Sequence, residues 1–323
     1  MGKRHYIIPI FVPHEGCPHD CVFCNQGKIT GENKEIILGP KYKQENKVNS
    51  DFVRKTIEEY IETIGEGDRI LEVSFFGGTF TAIDINKQRE LLAVAKEYKD
   101  KKIIDYIRLS TRPDYIDEFI LDHLKSYKVD IIELGVQSLD KEVLHKSGRG
   151  HDYDEVLKAS KLIKEYGFTL GHQIMVGLPE DTFEKDVETT KESIKMKPDI
   201  CRIYPALTVK NTPMEDMYLE GTYKPYTLEE AVYISAKLYK MYKENNIQVI
   251  RIGLQPTDNI ALGKDIVDGP FHPAFRELVE SSIINENIYN ILKDKSGEVT
   301  IRISNKSVSK LYADKKRYFN ELK

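Results

Sequence analysis

Seven apolar runs of strand length, separated by amphipathic stretches, occur between residues 5 and 257 and limit the fold more than any other feature of the chain. One such stretch carries Val156, Ala159 and Ile163 at helical spacing, and Gly167 follows where a helix-ending glycine is expected. Strands that alternate with helices predict a parallel sheet. The expected strands are HYIIPIFVP, ILEVSFFGG, IDYIRLSTRP, VDIIELGVQS, TLGHQIMVGLP, DICRIYPALTV and QVIRIGLQPT.

The number and length of these strands fit an α/β fold, a partly open (β/α)6 relative of the TIM barrel with about six parallel strands. In this architecture chemistry gathers at the carboxyl ends of the strands. The unusual residues of the chain fall at those ends: a cysteine-rich loop after the first strand, Gly77 and Gly78 after the second, Thr111 and Arg112 after the third, and Gln137 and Ser138 after the fourth.

The alternating pattern stops after residue 257. We expect a barrel domain over residues 1–257 and a small α/β appendage over residues 258–323. Within the appendage, EVTIRIS at 298–304 predicts a strand, and SVSKLYADKKRYFNELK at 307–323 predicts a closing helix.

Charge and hydropathy exclude some classes of protein. The net charge of −4 and the sequence pI near 6.1 exclude a generic binder of polyanions, so any contact with nucleic acid must come from a local patch. No apolar run approaches the ~20 residues that cross a bilayer, and the first residues lack the features of a signal peptide. We therefore expect a cytoplasmic protein without a membrane partner.

Three of the four cysteines, Cys17, Cys21 and Cys24, lie within eight residues. Three thiolates leave one iron of a four-iron, four-sulfur (4Fe-4S) cluster without a protein ligand, since such clusters are normally held by four. A zinc knuckle is an alternative, with His14 or His19 as a further ligand, but the usual paired spacing is absent. A disulfide framework fits less well, because three clustered thiols cannot pair evenly.

The CxxxCxxC spacing, with Phe23 before the third cysteine, resembles the signature of radical S-adenosylmethionine (radical SAM) enzymes. The resemblance implies a 4Fe-4S cluster held by the three cysteines, with S-adenosylmethionine bound to the open iron through its amino and carboxyl groups. It also implies that Gly77, Gly78 and Thr79, in the FFGGTF loop, hold the methionyl amino group. Thr79 replaces the acidic residue of the general motif, and a plain tight turn is the alternative.

Further candidates for binding S-adenosylmethionine lie at the later strand ends: Thr111, Arg112, Gln137, Arg149 and Met175. The guanidinium of an arginine matches a carboxylate in a bidentate way, and Arg149 is the better candidate for the methionyl carboxylate. Solvated arginines and an Asp114 helix cap are the alternatives.

Three residues are candidates for a catalytic role on the substrate side, namely His172, Tyr204 and Lys224. His172 and Met175 stand at an odd spacing in one strand, so they face opposite sides of the sheet. A hydrogen-bonded core histidine and a surface lysine are the alternatives. The fourth cysteine, Cys201, lies in an apolar run and is expected to be a buried small side chain.

The segments CPHDCVFCNQG, FFGGTF, STRPDYI, IELGVQS, GRGH and IYPALTVKNTPMEDMYLEGTYKPY resemble, in order, the radical domain of the Elongator catalytic subunit family. That family joins this domain to an acetyltransferase-like domain and modifies carbon 5 of a wobble uridine in transfer RNA. From its length and first residues we expect this chain to have neither an acetyltransferase domain nor the family's preceding RNA-binding region, and its first cysteine gap is shorter. Lys224 matches a lysine of the shared segment.

The resemblance implies reductive cleavage of S-adenosylmethionine to a 5′-deoxyadenosyl radical, which takes a hydrogen atom from the substrate. We expect a transferase-like enzyme that modifies transfer RNA, an external one-electron reductant and a separate protein that binds acyl-CoA. The alternatives are a radical enzyme for a small metabolite or a protein, and a noncatalytic iron–sulfur or RNA-binding module.

Overall fold

The computed structural model describes residues 3–12, 21–25, 48–65, 67–254, 261–295 and 297–321. Its strands are β1 Arg4–Val12, β2 Arg69–Gly77, β3 Tyr106–Thr111, β4 Ile131–Gln137, β5 Thr169–Val176, β6 Ile200–Pro205, β7 Thr208–Val209, β8 Gln248–Ile252 and β9 Ile266–Asp268. Its helices are α1 Ser50–Ile64, α2 Ile85–Asp100, α3 Glu118–Ser126, α4 Lys141–Lys146, α5 Tyr153–Glu165, α6 Phe183–Lys195, α7 Pro213–Leu219, α8 Leu228–Glu244, α9 Phe275–Leu292, α10 Val308–Leu311 and α11 Ala313–Asn320.

Seven of the described strands form one parallel sheet in the order β1-β2-β3-β4-β5-β6-β8. The sheet curls into a half-barrel with β1 and β8 at its open edges. The predicted partial TIM-like barrel is confirmed, with seven strands where about six were expected. Because the strands are parallel and adjacent, all their carboxyl ends lie at one rim of the half-barrel.

The two faces of each strand have different environments. On β2, Leu71, Val73 and Phe75 are buried in the apolar core between the sheet and the helices. Glu72 and Phe76 alternate with them and point to the concave inner face, where Phe76 contacts Arg202 and Glu72 contacts Arg108. The core therefore lies outside the half-barrel, and the polar residues of the strands fill its interior.

Local signals place the helices between the strands. Helix α5 begins with a capping box in which Asp152 and Glu155 satisfy each other's backbone N–H groups. Its buried face carries Val156, Ala159 and Ile163, as the spacing predicts, and Gly167 follows it with a φ of +81°. None of the described helices is long and apolar enough to cross a membrane.

The carboxyl-terminal part differs from the predictions in two places. Residues 298–304 form no strand: Val299 and Ile301 are 47% and 40% exposed, so their alternating pattern has no sheet to pack on. The closing helix is broken into α10 and α11 at Tyr312. The short β9, which pairs antiparallel with β7, was not expected from the sequence.

Helix α9 packs against α8, and its Phe275, Leu278 and Val279 are part of the same buried apolar cluster as the sheet. The division of the chain at residue 257 stays a prediction.

Candidate cofactor and substrate site

A tight turn at the rim of the half-barrel carries Cys21 and Cys24. The Cys24 amide donates to the Cys21 carbonyl at 2.9 Å, which brings the two cysteines onto one turn. Cys21 is buried, and Cys24 is partly exposed. Cys17, the third predicted ligand, lies outside the described residues.

Backbone contacts hold this turn on two sides. The Val22 amide donates to Ser147 O at 3.1 Å, and Val22 O accepts from the Met214 amide at 2.9 Å. The side-chain amide of Asn25 donates to Lys210 O at 2.9 Å. The turn is therefore fixed between the end of α4 and the segment that follows β7.

Two guanidinium groups lie beside Cys21. Arg149 Nη1 is 3.3 Å from Cys21 Sγ, and Arg112 Nη1 is 4.0 Å from the same sulfur. Arg112 also forms a bidentate pair with Asp114, with both N···O distances 2.9 Å, and donates to Arg149 O. This positive charge complements the negative charge that thiolate ligands bring to a metal cluster.

The glycine loop after β2 lies against the end of β1. Gly77 has a φ of +122°, and a Cβ built on it would lie 2.1 Å from Val12 O. Only glycine fits this position, because any side chain would collide with the backbone that leads into the cysteine loop. Gly78 is partly exposed at the same strand end, and Thr79 is buried at the start of a 3₁₀ turn, Phe80–Ala82.

A cavity of about 160 Å³ opens beside the cysteine turn. It brings together Cys24 and three residues that the sequence singles out, Gln137, Met175 and Tyr204. Asp265, which no motif of the sequence marks, also lines the cavity. The apolar part of the wall consists of Phe23, Pro205, Leu207, Val209, Leu254 and Ile266.

Comparison with protein families identifies the fold that carries this site. Residues 11–193 match the model of the Radical SAM superfamily, and residues 198–285 match the Radical SAM C-terminal domain. The first match covers more than half of the chain. The chain belongs to the radical SAM superfamily.

Relatives within the superfamily are proteins of transfer RNA modification and of Elongator. The chain is 29% identical to the tRNA uridine(34) acetyltransferase of Methanocaldococcus jannaschii over 255 residues, which are 71% of this chain and 47% of that protein. It is 24% identical to Elongator complex protein 3 of Bos taurus, over 70% of this chain and 47% of that protein. The chain thus spans about half the length of these relatives.

Among solved structures, the archaeal Elp3 of Methanocaldococcus infernus with an N-terminal deletion superimposes with a TM-score of 0.67 at 23% identity. The match covers 89% of this chain and 64% of that one. The curled half-barrel is therefore the radical SAM fold.

Members of the radical SAM superfamily use a 4Fe-4S cluster and S-adenosylmethionine, and the described residues fit both groups. Arg149 Nε and Gln137 Oε1 are buried and have no hydrogen-bond partner within the described part of the chain. Burial lowers the pKa of Arg149, because it takes the cation out of water. An unpaired donor and acceptor beside Cys21 and the cavity match a ligand that carries a carboxylate and an amino group.

Thr111 lies near this site with its hydroxyl already engaged. Its Oγ1 is 2.5 Å from Thr81 Oγ1, and the Thr81 amide donates to it at 3.4 Å. Thr111 thus joins the end of β3 to the segment after the glycine loop. We expect it to act on the cofactor through that segment.

His172 lies on the face of β5 opposite the cavity, whereas Met175 lies in the cavity wall. The His172 ring is within 3.0 Å of Ser160 Oγ and 2.8 Å of Ser193 Oγ, on the helices α5 and α6. Burial lowers its pKa to about 3, so the ring is neutral. The structure does not bring His172 to the site, and its contacts are those of a core histidine.

Lys224 is exposed and does not line the cavity. Its neighbours in the sequence hold the loop after β5: Tyr223 donates to Gly177 O at 2.8 Å, and a Cβ on Gly177 would meet the Tyr226 ring at 2.7 Å. Cys201 is buried in the core, as predicted, and burial raises the pKa of its thiol to about 12.

A buried ion network lies on the inner face of the half-barrel and was not predicted from the sequence. Glu133 accepts from Arg108 at 2.6 Å, from Arg202 at 3.0 Å and from Gln173 at 2.8 Å, and Arg108 also donates to Glu72 at 2.9 Å. The one signal in the sequence was a charged residue in the middle of four apolar strands, β2, β3, β4 and β6. Two acids and two bases balance each other in the interior, so the network can hold these side chains in fixed orientations.

Proposed function

We propose that this chain is a radical SAM enzyme that modifies a uridine of transfer RNA. The observation that carries the proposal is a cavity at the rim of a radical SAM half-barrel that is lined by Cys24, Gln137, Met175 and Tyr204. The choice of substrate rests on the relatives, among which tRNA uridine(34) acetyltransferases recur.

In this proposal the residues divide into three groups. Cys17, Cys21 and Cys24 hold the cluster, and Arg149 and Gln137 bind the polar end of S-adenosylmethionine. Met175 and the apolar wall of the cavity enclose its adenosine part and exclude water. When bound, the cluster and S-adenosylmethionine would supply the one-electron chemistry by which a hydrogen atom is removed from the substrate.

Tyr204 is the proposed residue between cofactor and substrate. Its ring lies in the cavity wall, and its hydroxyl accepts from Arg202 Nη1 at 3.3 Å. Burial raises the pKa of this hydroxyl, so Tyr204 stays protonated at neutral pH. Lys224, on the surface, is assigned to contact with the RNA backbone outside the cavity.

The partners in this proposal are transfer RNA, an external one-electron reductant and a separate protein that delivers an acyl-CoA unit. The acyl-CoA unit is proposed because the relatives are named acetyltransferases. The proposed location is the cytoplasm.

The test is the formation of 5′-deoxyadenosine by anaerobically reconstituted protein with dithionite and S-adenosylmethionine, with and without bulk transfer RNA. We expect formation that rises with transfer RNA and is absent in Cys21→Ala. Formation that is indifferent to transfer RNA would assign the enzyme to another substrate. No formation from a protein with a full complement of iron would refute the enzymatic proposal.

A further inference from the structure

An aromatic surface lies on the inner face of the half-barrel, outside the cofactor cavity. Phe11 and Phe76 are register partners in β1 and β2, and their ring centroids are 6.2 Å apart at an interplanar angle of 41°. Phe11 is 43% exposed, and Phe76 is partly exposed. Since β1 is an edge strand of the sheet, this surface can be reached from the open side of the half-barrel.

Arg202 links this surface to the cavity. Its guanidinium carbon is 5.5 Å from the centroid of the Phe76 ring, and its Nη1 donates to Tyr204, which lines the cavity. A group bound against Phe76 would therefore lie next to the place where the adenosine part of S-adenosylmethionine is proposed to bind.

One N–H donor of the Arg202 guanidinium has no partner among the described residues. Arg202 is only 7% exposed; its Nε donates to Glu133 at 3.0 Å, and its Nη2 is buried without a partner among the described residues. A buried donor that is left unpaired is costly, so its presence indicates a missing acceptor.

The charges around Arg202 favour a neutral or anionic acceptor over a cation. Glu133 is already shared between Arg108 and Arg202, and Arg251 is the register partner of Arg202 on β8. An aromatic surface beside an unpaired N–H group matches a nucleobase, whose ring stacks on aromatic side chains and whose carbonyl oxygens accept hydrogen bonds.

We propose that Phe11, Phe76 and Arg202 form the binding site for the target uracil, with its ring against the two phenylalanines and a carbonyl oxygen accepting from Arg202 Nη2. The choice of uracil rests on the proposed function. Arg202 and Phe76 would then determine which base reaches the radical, while the backbone of the RNA binds elsewhere.

The test uses reconstituted full-length protein with an unmodified transfer RNA transcript that carries uridine at position 34, and the same transcript with adenosine there. The variants are Arg202→Lys, which keeps the charge and removes the fork, and Phe76→Leu, which keeps apolar bulk and removes the aromatic ring. We expect each variant to raise the KM for the uridine transcript, measured by 5′-deoxyadenosine formation, about tenfold. Each should also reduce the preference for uridine over adenosine in equilibrium binding.

Two control variants are matched to these. Arg54→Lys changes an arginine outside the network, which pairs with Glu97 between α1 and α2, and Phe75→Leu changes the neighbouring ring on the core face. Both controls should lower the Tm without changing the KM or the base preference.

The possible results separate the two proposals. If Arg202→Lys and Phe76→Leu keep the wild-type KM and base preference, the proposed uracil site is wrong, while the proposed function stands. Equal weakening of both transcripts in Arg202→Lys would mean that the guanidinium binds the RNA backbone, which also overturns it. A wild-type protein that neither binds the uridine transcript nor responds to it would refute the proposed function, and the uracil site with it.

Discussion

Asp181 and Asp186 form a carboxyl pair behind the loop that follows β5. The two carboxyls are close enough for the charge of Asp181 to act on Asp186, and Tyr226 donates to Asp186 Oδ2 at 3.1 Å. Burial raises the pKa of Asp181 to about 6, and burial together with the Asp181 charge raises the pKa of Asp186 well above its usual range. The pair therefore holds a proton in the folded protein at a pH where both carboxyls would be ionised in the unfolded chain.

This pair should make the stability fall as the pH rises. The folded protein binds more protons than the unfolded chain between the usual pKa of Asp, about 4, and the raised value of about 6, so the free energy of unfolding decreases across that window. The rise in the pKa of Asp181 to about 6 corresponds to roughly 3 kcal/mol of unfolding free energy. In Asp181→Asn, chemical denaturation at pH 4 and pH 7 should show a smaller difference than in the wild type.

Glu184→Gln, at an exposed acid one turn away, is the control and should keep the wild-type pH dependence. An Asp181→Asn protein whose stability changes with pH as the wild type does would show that the pair does not share a proton.

At the scale of elements, the ends of β1 and β2 lie in close contact at Val12 and Gly77. Gly77 and Gly67 both have positive φ, +122° and +148°, but a Cβ on Gly77 would collide with Val12 O, whereas one on Gly67 would meet nothing within 4 Å. Alanine at either position carries the backbone strain, about 1–3 kcal/mol, and only Gly77→Ala adds the collision.

We expect Gly77→Ala to lose about 3 kcal/mol or more of unfolding free energy and to bind less iron per chain after reconstitution, because the displaced end of β1 moves the cysteine loop. Gly67→Ala should lose less stability and bind wild-type iron. Denaturation curves and iron analysis measure both effects. Equal iron content in the two variants would separate the β1–β2 junction from cluster binding.

The strands could be predicted from the sequence because their outward faces are apolar and their lengths are bounded by turn residues. The cavity residues Gln137, Met175 and Tyr204 could also be found, since strand ends at one rim must meet. The pairing of Arg108 and Arg202 through Glu133 could not, because it depends on the curl of the sheet, which brings β3, β4 and β6 side chains together across the interior. The strand predicted at residues 298–304 is wrong for a related reason. Alternating apolar and polar residues form a strand only where a neighbouring strand can pair with them.

At the scale of the whole molecule, helix α9 connects the carboxyl-terminal part to the sheet. Phe275, at its start, is 3% exposed and lies so close to Gly253, just after β8, that a Cβ there would meet its side chain at 2.9 Å. Because Phe275, Leu278 and Val279 share one apolar cluster with the strands, their packing energy belongs to the whole fold.

We therefore expect Phe275→Ala to destabilise the entire described chain by about 3–5 kcal/mol in a single cooperative transition, since it removes a large buried side chain from a shared core. Tyr289→Ala, on the same helix but 55% exposed, is the matched control and should change the stability little. Calorimetry and far-UV circular dichroism of both variants, compared with the wild type, give the measurement. Two separate transitions in Phe275→Ala, with the first confined to the residues after 257, would show instead that the carboxyl-terminal part unfolds as an independent unit and that the core is divided at β8.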